Sequence, residues 1–138
     1  MPPDIDIRLL DTADPAAVRA LYEAANWWEA GDDEGGIVPM IEGSFRFAAA
    51  FLNGSLVGMG RVLSDGVSDA YIQDVTVALA LRGHGIGADI IRFLVDECRR
   101  AGITWIGLVA EPGTAAFYER LGFEALIGHV PMRLKREV

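Results

Sequence analysis

The sequence predicts an α/β sandwich on one mixed, mostly antiparallel sheet flanked by helices, and three observations carry that prediction. Two apolar runs, Phe45–Leu52 and Leu56–Leu63, are separated only by Asn53-Gly54-Ser55, and Asn-Gly between apolar runs is the strongest short hairpin signal. After Val77 the apolar period changes from that of strands to that of a helix, with Ile86, Ile90, Ile91, Phe93, Leu94 and Cys98 forming one broad face. Beyond that helix, Ile103–Ala110 is nearly continuously apolar, as expected of a strand covered on both faces.

Each element has its own local reason. Asp4–Leu10 alternates enough for a short first strand. Asp14-Pro15 starts a helix, since Asp caps free N–H groups and Pro suits the first helical position. Val18, Leu21, Tyr22 and Ala25 continue it with helical spacing to an end near Asn26-Trp27-Trp28. Residues 29–43, acidic and glycine-rich, read as a loop with one helical turn at most. The hairpin follows, then a polar turn, Ser64–Ser68, and a strand, Tyr71–Val77. Gly85 opens the next helix, Arg99 and Arg100 favour its C-terminal end, and Gly102 stops it. Thr114–Leu121 reads as a short helix ended by Gly122, and Pro131–Lys135 as a last strand.

Composition narrows the class. A chain of 138 residues is the usual size of one domain, so residues 1–138 are expected to form a single unit. Apolar residues make up 51% and charged ones 23%, ordinary globular usage that excludes disordered and fibrous classes. No apolar run reaches the roughly 20 residues that cross a bilayer, because Arg46, Asn53 and Arg61 interrupt the most hydrophobic stretch. The opening MPPDIDIR is acidic where a secretory signal needs basic residues. A cytoplasmic location is therefore expected. Cys98 is the one cysteine, which excludes an intrachain disulfide and a cysteine-based zinc cluster. The net charge of −8 argues against nucleic acid as main partner. That charge is concentrated: residues 1–45 hold ten acids against Arg8 and Arg19, while residues 46–138 balance ten acids with ten bases.

Arg82-Gly83-His84-Gly85-Ile86-Gly87-Ala88 lies between a strand and a helix N-terminus, where glycines let an anion approach unpaired N–H groups. A Walker A loop would end in Gly-Lys-Ser/Thr, and no lysine precedes Lys135. A dinucleotide fingerprint matches in letters as Gly83-x-Gly85-x-x-Ala88, with Glu111 downstream. Its context fails, because Ala78–Leu81 intervene after the strand and too little chain follows for a doubly wound sheet. The third motif, Arg-x-x-Gly-x-Gly at Arg82, Gly85 and Gly87, resembles the acetyl-CoA loop of the GNAT superfamily of N-acetyltransferases. Its flanks, Tyr71-Ile-Gln-Asp-Val-Thr-Val77 and Phe117-Tyr-Glu-Arg-Leu-Gly-Phe123, are similar to that family's neighbouring motifs, and the likeness covers roughly residues 5–125.

The resemblance implies a GNAT-like three-layer sandwich with acetyl-CoA as cosubstrate and no metal. It puts the pantetheine arm along the backbone of Val75 and Val77. It puts the pyrophosphate on Gly83, His84, Gly85, Ile86, Gly87 and Ala88, with positive charge from Arg82 and His84. Tyr118 matches the residue the family commonly uses as acid toward the departing thiolate. Asp74 is the leading base by this likeness, since polyamine-acetylating relatives place a Glu-Asp pair where this chain has Gln73-Asp74. A strand-end hydrogen-bonding role for Asp74 stands beside that reading. Gln73 can orient a water but cannot accept a proton. Glu111 stands where relatives often have Asn, and either accepts a proton or faces solvent. Trp27 and Trp28 fall where the family's first helix and following loop border the acceptor pocket.

The expected activity is acetyl transfer from acetyl-CoA to a small cationic primary amine by direct attack in a ternary complex. Cys98, inside a helix's apolar face, makes a poor nucleophile for a two-step route. The rival class is an acetyl-CoA-binding sensor without turnover. The expected partner is a small-molecule amine, with neither nucleic acid nor membrane, and self-association into a homodimer is left open.

Overall fold

The computed structural model describes residues 4–136, which form two compact units divided between Leu108 and Val109. The first carries a five-stranded sheet in the order β1 (Asp6–Leu9), β2 (Arg46–Leu52), β3 (Ser55–Ser64), β4 (Asp69–Val77) and β5 (Trp105–Gly107). Neighbours are antiparallel except β4 and β5, which run parallel. The sheet is mixed and mostly antiparallel, as the sequence predicts.

The hairpin between β2 and β3 is a two-residue turn, with Asn53 at φ 51° and Gly54 at φ 81°. Positive φ at both positions matches the right-handed twist of the strands it joins.

Period-two alternation then gives the sheet two apolar faces. On one, Phe47, Ala49 and Met59 pack with Val18 and Leu21 of α1 (Pro15–Ala24) and Ile37 and Ile41 of α2 (Ile37–Gly43). On the other lies α3 (Ile86–Arg100), which packs on β2, β3 and β4. Helices therefore cover both faces, giving three layers.

Gly58 and Gly60 let α3 approach closely. A Cβ on Gly60 would sit 2.9 Å from Ile90 Cγ2, 3.0 Å from Val75 Cγ2 and 3.1 Å from Leu94 Cδ1. Gly60→Ala should therefore cost about 1–3 kcal/mol through overpacking. Urea unfolding should show a lower midpoint at unchanged slope.

Four local expectations need correction. The first helix stops at Ala24, before Asn26 enters a left-handed turn at φ 62°. Residues 34–43 are a short 3-10 turn followed by α2, not a loop, because Ile37 and Ile41 bury one helical face against the sheet. Strand pairing in 103–110 is confined to Trp105–Gly107, and Thr104, Trp105 and Val109 are exposed, so this strand is not covered on both faces. Residues 131–135 form no strand: among the described residues none pairs with them, and Met132 and Leu134 lie exposed.

The second unit holds α4 (Ala115–Glu119), a shorter helix than Thr114–Leu121, with Gly122 at φ 97° just beyond it. Among the described residues no helix is long and apolar enough to cross a membrane.

Candidate active site

The centre of the site is a distortion in β4. Arg61 faces Gln73 across the ladder, but Met59 faces Thr76, so β4 carries one more residue than β3 opposite Gly60. That is a β-bulge, which bends a strand and re-aims its side chains. Asp74 sits in it at φ 58°, a left-handed conformation that costs a non-glycine residue of order 1–3 kcal/mol and that clusters at functional positions. An undistorted strand would send Gln73 and Asp74 to opposite faces. Here both reach Arg61: its Nε donates to Asp74 Oδ2 at 2.7 Å and its Nη2 to Gln73 Oε1 at 3.4 Å.

Tyr22, on α1, donates its hydroxyl to the same Asp74 Oδ2 at 2.9 Å and lies 3.6 Å from the Met40 sulfur. Burial and the adjacent carboxylate push the Tyr22 phenol well above its ordinary value, so it remains a donor at any working pH. Arg61 Nη1 also reaches Ser44 Oγ, at a loose 3.5 Å. Tyr22 and Arg61 are the members that sequence reasoning missed. Tyr22 reads as part of an apolar helix stripe, and Arg61 as a break in a hydrophobic run. The available signal was Arg61 itself, because a charge inside a largely apolar strand calls for a carboxylate partner.

From the bulge, β4 runs to the glycine turn with one edge open. Its pairing with β5 covers Asp69–Tyr71, and among the described residues no strand adds to that edge from Ile72 to Val77. Val77 is buried and Val75 half-buried, so their side chains serve the core and the backbone edge is what they present. A short 3-10 turn, Leu79–Leu81, leads to Gly83 and Gly85, at φ 85° and φ 82°. Gly85 is the N-cap of α3 and offers no side chain to the first N–H groups of the helix. Those N–H groups, on Ile86, Gly87 and Ala88, are left for an incoming anion. Arg82 donates from Nε to the Val77 carbonyl at 3.0 Å and from Nη2 to the Ala24 carbonyl at 3.3 Å. It thereby ties the turn to the end of β4 and to the C-terminus of α1. His84 is exposed and its Nδ1 lies 3.0 Å from the Leu81 carbonyl.

Trp27 and Trp28 are half-buried, with ring centroids 6.4 and 6.2 Å from that of Tyr22. Trp28 packs on the core and carries the Arg19 guanidinium 5.0 Å from its ring centroid. Its cation–π face is thus already used. Arg19 also pairs with Glu23 and Glu34, each at 3.1 Å, which neutralises part of the acidic segment.

The second unit holds Tyr118 and Glu111. The Tyr118 ring stands edge-on to Phe117 and Phe123, with centroids 5.0 and 5.9 Å away. Burial, then the nearby Glu111 charge, pushes its phenol above the ordinary value. Glu111 is exposed, and its carbonyl accepts from Thr114 N at 3.1 Å and Thr114 Oγ1 at 2.6 Å. Cys98, at the core face of α3, is fully buried and its thiol is likewise pushed up by burial.

Comparison with known proteins bears on the family and the fold. Residues 9–123 match the model of the acetyltransferase (GNAT) family. A probable acetyltransferase from meticillin-resistant Staphylococcus aureus superposes with a TM-score of 0.84 at 18% identity, over 96% of this chain and 100% of that one. A GNAT family protein from Streptococcus pneumoniae gives 0.82 at 22%, over 97% and 100%. At these identities the likeness is one of fold. Among curated sequences, an uncharacterized N-acetyltransferase of Pyropia yezoensis is 41% identical over 71 residues, 51% of this chain and 41% of its own length. Rice chloroplastic serotonin N-acetyltransferase 2 is 39% identical over 70 residues, 51% of this chain and 35% of its own. The matched stretch thus spans less than half the length of these curated relatives.

Proposed function

The chain belongs to the acetyltransferase (GNAT) family, and from that premise we propose that it moves an acetyl group from acetyl-CoA to a small cationic primary amine, by direct attack in a ternary complex. One observation carries the reading: a single strand leads from the carboxylate of Asp74, set on a left-handed backbone, along an open backbone edge, to a glycine turn capping α3. An extended amide-bearing arm suits the open edge, and a pyrophosphate suits the turn's free N–H groups.

The acceptor arrives as a cation. An alkylamine of pKa near 10.4 is about 99.9% protonated at neutral pH, a penalty of roughly 4 kcal/mol before it can attack. Asp74 receives and orients that nitrogen and accepts its proton, directly or through a water that Gln73 orients. The neutral nitrogen then attacks the thioester carbonyl, the C–N bond forms, and the C–S bond breaks. By the likeness to the family, Tyr118 is the hydrogen-bond donor assigned to the departing sulfur. Its raised pKa makes full proton transfer to a thiolate of ordinary pKa near 8.5 uphill, so it acts by stabilising charge as it develops.

Charge favours a cationic acceptor. Asp32, Asp33 and Glu42 are exposed on the segment between α1 and β2, and carboxylates at a rim raise the local concentration of cations. Trp27, not covered by Arg19, is the aromatic face available to an ammonium or an aryl ring, worth about 0.5–2 kcal/mol.

The test is kcat/KM for spermidine, tryptamine, glucosamine 6-phosphate and glutamate at 0.1 and 1 M salt. Either cationic amine should lead. Its advantage should shrink as the Debye length falls from about 10 Å to about 3 Å. Preference for either anionic acceptor would refute the charge argument. Acetyl-CoA binding with no turnover on any amine would make the chain a sensor.

A further inference from the structure

Both hydrogen bonds on the Asp74 carboxylate fall on one oxygen. Tyr22 Oη and Arg61 Nε converge on Oδ2, at 2.9 and 2.7 Å, and among the described residues nothing bonds Oδ1. Two donors on one oxygen fix the plane of the carboxylate as well as its position. The backbone beneath is fixed too, since Asp74 lies in the left-handed region within a bulge whose partner strand packs under α3 through Gly60. Arg61 is held in turn by Gln73 and Ser44. The network joins α1, the residue after α2, β3 and β4, and the carboxylate oxygen it leaves without a partner among the described residues is Asp74 Oδ1, on a side chain that remains 25% exposed.

We propose that Tyr22 and Arg61 are positioning residues for acceptor recognition: they clamp Asp74 by Oδ2 so that Oδ1 alone receives the nitrogen of the acceptor. The proposal rests on the reading of this site as an acetyl-transfer centre. It adds which atom meets the substrate and which side chains set its place. Because the hydroxyl of Tyr22 touches the carboxylate and not the acceptor, its removal should loosen recognition without touching cofactor binding. Misplacing a reacting group by about 1 Å costs up to about 100-fold, so the effect should lie between 10- and 100-fold.

Tyr22→Phe is the direct test, because the ring keeps its contacts with Trp27 and Trp28 and only the donor is lost. In the full chain, KM for the best amine of the panel should rise about 10-fold or more. The acetyl-CoA dissociation constant from calorimetry and the melting temperature should stay near wild type. Arg61→Lys keeps the charge but gives up the Nε geometry, and should show the same split should Tyr22→Phe fail to fold. Amine binding by calorimetry, with tryptamine and spermidine on CoA-saturated protein, should weaken in parallel. A Tyr22→Phe enzyme with wild-type KM would overturn the clamp and leave the acetyl-transfer reading standing. Equal losses of cofactor affinity, melting temperature and turnover would make Tyr22 merely structural. Wild-type protein that binds acetyl-CoA but neither binds nor acetylates any amine would refute both.

Discussion

Replacing Gly85 by glutamate is expected to cost most of the affinity for acetyl-CoA, on the proposed function, while leaving the protein folded. Gly85 stands at φ 82° as the N-cap of α3, and no other group lies within 4 Å of where its Cβ would be. Among the described residues, then, a Cβ there meets open space. The glutamate would occupy the approach to the helix N-terminus instead, and its carboxylate would repel the pyrophosphate that the proposed function puts there. The left-handed backbone adds about 1–2 kcal/mol of strain for any side chain. Strain and charge separate in a pair of variants: Gly85→Ala carries the strain alone, whereas Gly85→Glu also repels the ligand. Calorimetry should find at least about a 100-fold loss for glutamate, equivalent to about 2.7 kcal/mol, and a smaller one for alanine. A folded Gly85→Glu protein with unchanged affinity would remove the cofactor assignment.

Local rules made much of this fold legible. Asn53-Gly54 marked its hairpin because both residues accept positive φ, and Asp14-Pro15 marked the start of α1, where Ala16 N donates to Asp14 Oδ1 at 3.1 Å. The misses share a cause. In α2, acids and glycines argued for a loop, and what makes it helical is the burial of Ile37 and Ile41 against a sheet strand that begins after it. In 103–110, composition indicated an apolar strand, but pairing length depends on the neighbour. β4 is bulged beyond Tyr71, so only Trp105–Gly107 find partners. The site divides the same way. The glycine turn was legible because its chemistry is local. The clamp on Asp74 was not, since Tyr22 lies 52 residues away in sequence and the bulge leaves no mark in Gln73-Asp74-Val75.

Tyr118→Phe should lower kcat by roughly 10- to 1,000-fold, in the range of losing one acid catalyst or charge-stabilising donor. Acetyl-CoA affinity should barely move. Phenylalanine keeps the edge-on packing with Phe117 and Phe123, so the unit that holds it should remain ordered. The size of the loss distinguishes two roles. A true proton donor must match its partner, and a phenol already weaker than thiol as an acid becomes weaker still when burial and Glu111 raise its pKa. On the proposed function Tyr118 would therefore give a hydrogen bond that strengthens as sulfur gains charge, and its deletion should be felt in kcat more than in KM. The same upward shift fixes the pH behaviour. Ionisation of Tyr118 would remove the donor, but burial and then Glu111 displace that ionisation upward, so any fall in kcat attributable to it should come at higher pH than for an ordinary tyrosine. Glu111→Gln should bring the tyrosine back toward its ordinary value, since it removes the lesser of the two causes and leaves burial in place. A falling limb that moves to lower pH in Glu111→Gln and vanishes in Tyr118→Phe would tie the two residues to one proton. A Tyr118→Phe enzyme turning over at the native rate would make the tyrosine structural and leave water to protonate the thiolate.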